Sequence, residues 1–175
     1  MHEDIICLDL FDYEEVDIVC DAHRLPFARG SVDGLVTRYL FEHIADCHAI
    51  VTGFDACTRP GGMGVHLVPF LYPFHASPQD FHRFTHEGAG FLFKGWDVVE
   101  QRNVTGPATL LLLCLIEFVS TALSFGKGKL RKYFYLCLCL FLFPVKYLDV
   151  FFVANKNFIT LAPTLLTVVR KPRRR

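Results

Sequence analysis

The sequence predicts an α/β fold built on a parallel sheet, from three observations: short apolar runs closed by turn residues, acids near the ends of the first two, and a helix-spaced segment between the last two. Residues 5–10 (IICLDL) carry Asp9 near their end, and residues 16–20 (VDIVC) lead into Asp21. Residues 32–37 (VDGLVT) and 64–68 (GVHLV) complete the set, and such runs read as strands buried on both faces. Over residues 40–57, Leu40, Ile44, Ala45, Ile50, Val51 and Phe54 recur at near-helical spacing, which predicts one helix. Strand, helix, strand order then gathers ligands beyond the carboxyl ends of the strands. The punctuation Arg59-Pro60-Gly61-Gly62 predicts a tight reversal into the next strand, because Pro fixes φ and Gly tolerates positive φ.

Composition narrows the function classes. The 175 residues carry 18 Lys and Arg against 18 Asp and Glu, but this neutrality averages two opposites. Residues 1–105 hold 16 acids and 7 bases, a net of −9, while residues 106–175 hold 2 acids and 11 bases, a net of +9. A charged fraction of 21% with 18 Phe excludes a disordered chain. The basic residues are diluted by Leu and Phe runs, which argues against a nucleic-acid partner. Cys7, Cys20, Cys47, Cys57, Cys114, Cys137 and Cys139 form no CxxC pair, as expected of reduced thiols in a cytoplasmic protein. The first apolar run is short and follows Glu3 and Asp4, so no secretory leader is expected.

Four blocks then fall in order: Asp21-Ala22-His23-Arg24-Leu25-Pro26-Phe27, Ser31-Val32-Asp33, Phe41-Glu42-His43-Ile44 and Arg59-Pro60-Gly61-Gly62. Together they resemble the class I S-adenosylmethionine-dependent methyltransferases of the small-molecule type (methyltransferase type 11), over residues 5–102. Phe41 stands where Leu is usual, and Thr58-Arg59 where Leu-Lys is commoner. The resemblance implies a Rossmann-like sheet and S-adenosylmethionine as cofactor. It implies that Asp9 receives the ribose hydroxyls, that Asp21 meets the adenine amino group, and that Ala22 keeps that wall shallow; the bare residues read equally as a solvated strand-end acid and a turn-capping Asp. The family's first strand ends in a G-x-G-x-G loop, where a Cβ would block the cofactor's approach. No such loop precedes Ile5, so the expectation is a sheet lacking its first strand and Gly-rich loop, an N-terminally truncated chain with impaired cofactor binding.

Residues 69–84 (PFLYPFHASPQDFHRF) resemble a segment of glycan- and lipid-modifying methyltransferases. Pro69, Pro73 and Pro78 forbid a long helix and shape a loop above the sheet. His75 is the candidate general base with Asp80 as its orienting partner, and His82 and Arg83 are candidate acceptor contacts. The alternative is structural: Asp80 and Arg83 pair locally and His75 caps a turn. Glu42-His43 reads as ordering the helix near the cofactor. His66, His75, Asp80, His82 and His86 match no zinc-ligand spacing, so no metal is expected from them.

Residues 96–104 and 165–170 look like the last two strands of the sheet, separated by about sixty residues where a hairpin is usual. The chain divides accordingly into an α/β core (1–105), a hydrophobic helical insertion (106–160) and a last strand with a basic tail (161–175). In the insertion, Glu117, Ser120, Thr121 and Ser124 line one helix face, and a kink is expected at Pro144. Lys127, Lys129, Arg131 and Lys132 lie between the apolar stretches, as suits an anionic membrane surface. Interfacial helices, a hydrophobic cap on the domain and a transmembrane hairpin all stay open. The functional expectation is methyl transfer to a small-molecule, lipid-linked or glycan acceptor. The alternative is a noncatalytic methyltransferase relic serving as a membrane-associated interaction module.

Overall fold

The structure, a computed structural model, describes residues 5–76 and 78–173. Strands β1 (Leu8–Asp9) and β2 (Ile18–Val19) pair parallel with each other, Leu8 opposite Ile18 and Asp9 opposite Val19. The remaining strands are β3 (Val32–Arg38), β4 (Thr58–Pro69), β5 (Asp97–Asn103) and β6 (Thr164–Arg170). They form a separate four-stranded sheet in the order β3-β4-β6-β5. β3 and β4 run parallel, and β6 lies antiparallel to both β4 and β5. The four strands expected by residue 68 are thus present, but they are divided between two sheets. The terminal antiparallel pair also forms across the long insertion.

Two local expectations are corrected. Residues 40–57 are not one helix: a 3-10 turn spans Phe41–His43, Ile44 is extended, and α1 (Cys47–Cys57) starts afresh. Asp46 resets the chain by accepting the Ala49 amide at 3.1 Å, the preferred role of Asp at a helix start. Arg59-Pro60-Gly61-Gly62 is no reversal either, because α1 passes directly into β4 and all four residues lie within that strand. Gly61 takes φ +82°, its amide donates to the Lys171 carbonyl at 2.9 Å, and the Lys171 amide returns to the Gly62 carbonyl at 2.9 Å. The glycines therefore serve an irregular strand start, where a Cβ on Gly62 would collide with the Asp33 carbonyl.

The core sits where α1 and α2 (His86–Leu92) meet the sheet. Ile50, Val51 and Phe54 of α1 join Val68, Leu165 and Val169 of the sheet and Phe84, Leu92, Phe93 and Trp96 from the following segment. Phe41 plugs the centre, edge-on to Phe54, Phe84 and Phe93 at 5.6–6.5 Å between centroids. Each such side chain contributes about 1.5–3 kcal/mol by leaving water. Val36, by contrast, is 76% exposed on β3.

The insertion folds as α3 (Pro107–Leu123), α4 (Gly128–Leu142), a 3-10 segment over Phe143–Leu148 and α5 (Asp149–Phe152). The 3-10 segment carries Pro144, where a kink was expected. The Asp149 carboxylate is buried against the α3 N-terminus, accepting the amides of Gly106, Ala108 and Thr109 at 2.8–3.1 Å and the Thr109 hydroxyl at 2.5 Å. That acid satisfies three donors a helix start leaves open. On α3 the buried line is Ala108, Leu112, Ile116 and Ser120. The hydroxyls of Ser120 and Ser124 turn back to the carbonyls of Glu117 and Thr121, and Glu117 pairs with Arg131 of α4 at 2.6 Å. The expected polar stripe therefore faces largely inward, and Leu111, Leu115 and Phe118 face out.

Candidate active site

The first group of site residues stands at the carboxyl ends of β1 and β2. Asp9 closes β1 and its Oδ1 accepts the Phe11 amide at 2.9 Å. Asp21 follows β2, and its Oδ1 accepts both the His23 amide at 2.9 Å and the His23 Nδ1 proton at 2.7 Å. Those two bonds hold the Asp21 carboxyl below its ordinary range, the backbone amide being the larger cause, so it is an anion at neutral pH. Ala22 packs against the edge of the core. The parallel pairing sets Asp9 opposite Val19, which brings both acids to one end of the pair.

The second group is the loop between β4 and α2. Asp80, only 1% exposed, receives the His75 amide at 2.8 Å and both terminal nitrogens of Arg83, Nη2 at 2.6 Å. Arg83 also donates to the carbonyls of Tyr72, Pro73 and His82 at 2.8–2.9 Å. This fork closes the Pro-rich loop on itself, and the bidentate geometry is the strong form of such a pair. The guanidinium holds the Asp80 carboxyl well below the usual carboxylate range. The His75 ring keeps a freer position: Nδ1 is 3.3 Å from the Pro73 carbonyl and 3.6 Å from Asp80 Oδ2. His82 Nε2 reaches the Ala45 carbonyl at 3.3 Å.

The loop docks on the 3-10 turn after β3. The Phe81 amide donates to the Glu42 carbonyl at 2.6 Å, and His43 Nδ1 meets the Gln79 carbonyl at 2.5 Å. His43 and His75 consequently face each other edge to face, 5.4 Å between centroids. Beneath them the Glu42 side chain is wholly buried, and neither carboxylate oxygen has a hydrogen-bond partner among the described residues. Burial pushes the Glu42 carboxyl up. Sequence reasoning assigned Glu42-His43 to helix ordering and missed this convergence. The available signal was an acid and a histidine in an otherwise apolar run, directly after a strand's carboxyl end.

Known proteins resemble this chain in part. Residues 8–65 match a family model described as a methyltransferase domain. No curated protein matches. Among solved structures, a Burkholderia thailandensis 1,6-didemethyltoxoflavin-N1-methyltransferase, solved with 1,6-didemethyltoxoflavin and S-adenosylhomocysteine, aligns with a TM-score of 0.56 at 11% identity. It covers 97% of this chain and 61% of its own length. A chain from the complex between the Haloferax volcanii Trm112 methyltransferase activator and a methyltransferase aligns at 0.53 with 21% identity, covering 94% of this chain and 65% of its own. The [4+2]-cyclase SpnF aligns at 0.54 with 12% identity, covering 90% and 56%. This chain thus spans between half and two thirds of the length of these structures. Likeness at such identities establishes the fold, and the presence of a cyclase among them shows that the fold alone does not specify a reaction.

Proposed function

We propose that this chain is a class I S-adenosylmethionine-dependent methyltransferase, with S-adenosylmethionine as its cofactor and a small-molecule, lipid-linked or glycan acceptor; the match of residues 8–65 to a methyltransferase-domain model supports this reading. The observation that carries the reading is the pair of acids at the carboxyl ends of two parallel strands, Asp9 closing β1 and Asp21 following β2. They fit the adenosine half of the cofactor: Asp9 retains Oδ2 for the ribose hydroxyls, Asp21 retains Oδ2 for the adenine amino group, and Ala22 leaves the wall low between them. When bound, the cofactor supplies a methyl group on a sulfonium, so alignment is the protein's main task. In this reading His75 takes the acceptor's proton, Asp80 keeps the His75 backbone in place, and His82 and Arg83 border the acceptor.

Calorimetry with S-adenosylhomocysteine tests the assignment. Binding should weaken at least tenfold in Asp9→Ala, since one lost charge-assisted contact is worth about 1.5–3 kcal/mol. Equal affinity in the two proteins would remove Asp9 from the site. Absence of heat in both would favour the second reading, a noncatalytic module, which draws on the separation of β1 and β2 from the four-stranded sheet.

For the insertion, the reading favoured is an interfacial one, helices lying on an anionic leaflet. Gly128–Phe152 covers 25 residues, long and apolar enough to cross a membrane; its most apolar 18-residue stretch has a mean hydropathy of 1.8, and only 6% of that stretch is buried. Leu111, Phe118, Leu140, Phe141, Val150 and Phe151 are all more than 60% exposed, while Lys127, Lys129 and Lys132 flank the hinge between α3 and α4. Each basic residue near such a surface contributes about 1 kcal/mol. The full chain should float with phosphatidylserine vesicles and much less with neutral ones, and Lys127, Lys129 and Lys132 changed together to Gln should release it at physiological salt. Flotation indifferent to lipid charge and salt would instead indicate a spanning hairpin, and no flotation a cap.

A further inference from the structure

The structure assigns a divalent-metal site to Glu42, His43 and His75, and we propose that it takes a first-row transition ion such as Mn2+, Co2+ or Zn2+. Each of the three residues offers one ligand atom, and these atoms lie within 4.8 Å of one another. Ligands about 2.0–2.2 Å from a common ion stand roughly 3–4 Å apart, so the site closes by small side-chain rotations. Residues 42 and 43 come from the 3-10 turn after β3, and residue 75 from the loop after β4. The parallel pairing of those strands brings the two carboxyl ends together.

Independent features of the surroundings point to an ion rather than to a chance cluster. The Glu42 carboxylate is fully buried and its oxygens bond to nothing among the described residues; a buried carboxylate normally has a cation or donors. His43 Nδ1 is engaged by the Gln79 carbonyl. A proton on that nitrogen leaves Nε2 with its lone pair, on the side where Glu42 Oε1 lies 3.9 Å away. A carbonyl behind the imidazole is the support found behind metal-bound histidines, because it sets the tautomer and the ring angle. His75 has the same arrangement, with Nδ1 toward the Pro73 carbonyl and Asp80. Two neutral imidazoles and one carboxylate make an N2O set that suits borderline divalent ions and leaves coordination positions open.

The role follows from the proposed methyl transfer and rests on it, although the binding does not. His43 and His75 are partly exposed, so the open positions face solvent. There they would take water or an acceptor oxygen, and an ion so placed lowers the pKa of a bound hydroxyl. Ion binding and the base role proposed for His75 exclude each other: with the ion bound the ring is a ligand, and only in the metal-free protein is it free to take the acceptor's proton.

The test is equilibrium dialysis of the full chain, stripped by a chelator, against Co2+ and separately Mn2+, with metal counted per chain. One ion per chain is expected at micromolar free metal. Glu42→Gln and His75→Ala should each weaken binding at least tenfold, while His48→Ala, an exposed histidine on α1, should not. His75→Ala alters a partly exposed side chain, so it remains informative if Glu42→Gln fails to fold. No saturable binding, binding indifferent to both substitutions, or a thiolate charge-transfer band in the Co2+ spectrum would each overturn the site. Failure of the methyltransferase reading would appear separately, as absent S-adenosylhomocysteine binding in metal-free protein.

Discussion

Replacing Asp80 with Asn should lower unfolding stability by about 3 kcal/mol, measured by urea denaturation at pH 7. Its carboxylate is the shared acceptor of the Arg83 fork and of the His75 amide. Breaking a buried pair from one side leaves the other charge uncompensated, at about 3–5 kcal/mol. Arg83 is 27% exposed, so water recovers part of that loss. The depressed Asp80 pKa gives this contribution a pH sign. It is present in full above the ordinary carboxylate value and disappears as pH falls below it. Asp80→Asn should therefore show a flatter stability curve below pH 4 than the parent protein. A change under about 0.5 kcal/mol at pH 7, where exposed pairs usually fall, would demote the fork to a surface contact.

The second large effect is expected at mildly acidic pH and belongs to His66. Its ring lies in the centre of the core, stacked on Phe93 at 4.0 Å between centroids, with Nδ1 2.9 Å from the Thr37 hydroxyl and Nε2 unpartnered among the described residues. Burial pulls its pKa from 6.5 down to about 3. Between those values the unfolded chain binds a proton that the folded chain refuses, so stability falls by about 1.4 kcal/mol per pH unit as pH drops. At pH 5 the loss attributable to His66 is about 2 kcal/mol. Buried Glu42, with its pKa raised, tilts the curve the other way just above the ordinary Glu value. The informative quantity is therefore the difference between parent and His66→Gln, which retains an acceptor for Thr37. Unfolding free energies at pH 7 and pH 5 should diverge by about 2 kcal/mol between the two proteins. Parallel pH curves would place a proton acceptor or water beside Nε2 in the folded state.

Much of the sheet was legible in the sequence because its apolar runs are bounded by residues with one dominant conformational preference. The runs ending at Asp9, Asp21 and Thr37, and the return strand near residue 165, each form. Misreadings arose where two local signals competed. Residues 40–57 have helical spacing throughout, yet Asp46 within them is also a helix-start residue, and the N-cap hydrogen bond prevailed. Pro60-Gly61-Gly62 reads as a turn in isolation, but the backbone bonds of Gly61 and Gly62 with Lys171 hold it in a strand. Asp149 is a lone acid within an apolar stretch, and only the fold reveals the open amides of α3 that it satisfies.

The sequence by itself determined the fold class, the methyltransferase resemblance, the two strand-end acids and the apolar insertion with its basic hinge. All of these are properties of residue type at short spacing, which periodicity and local backbone preference express directly. Tertiary structure alone decided that Asp80 clamps Arg83 and the His75 backbone, that α3 turns apolar residues outward, and that Glu42 and His43 meet His75 across more than thirty residues of chain. Such meetings depend on strand register and on which carboxyl ends lie side by side, and no local pattern along the chain encodes that distance.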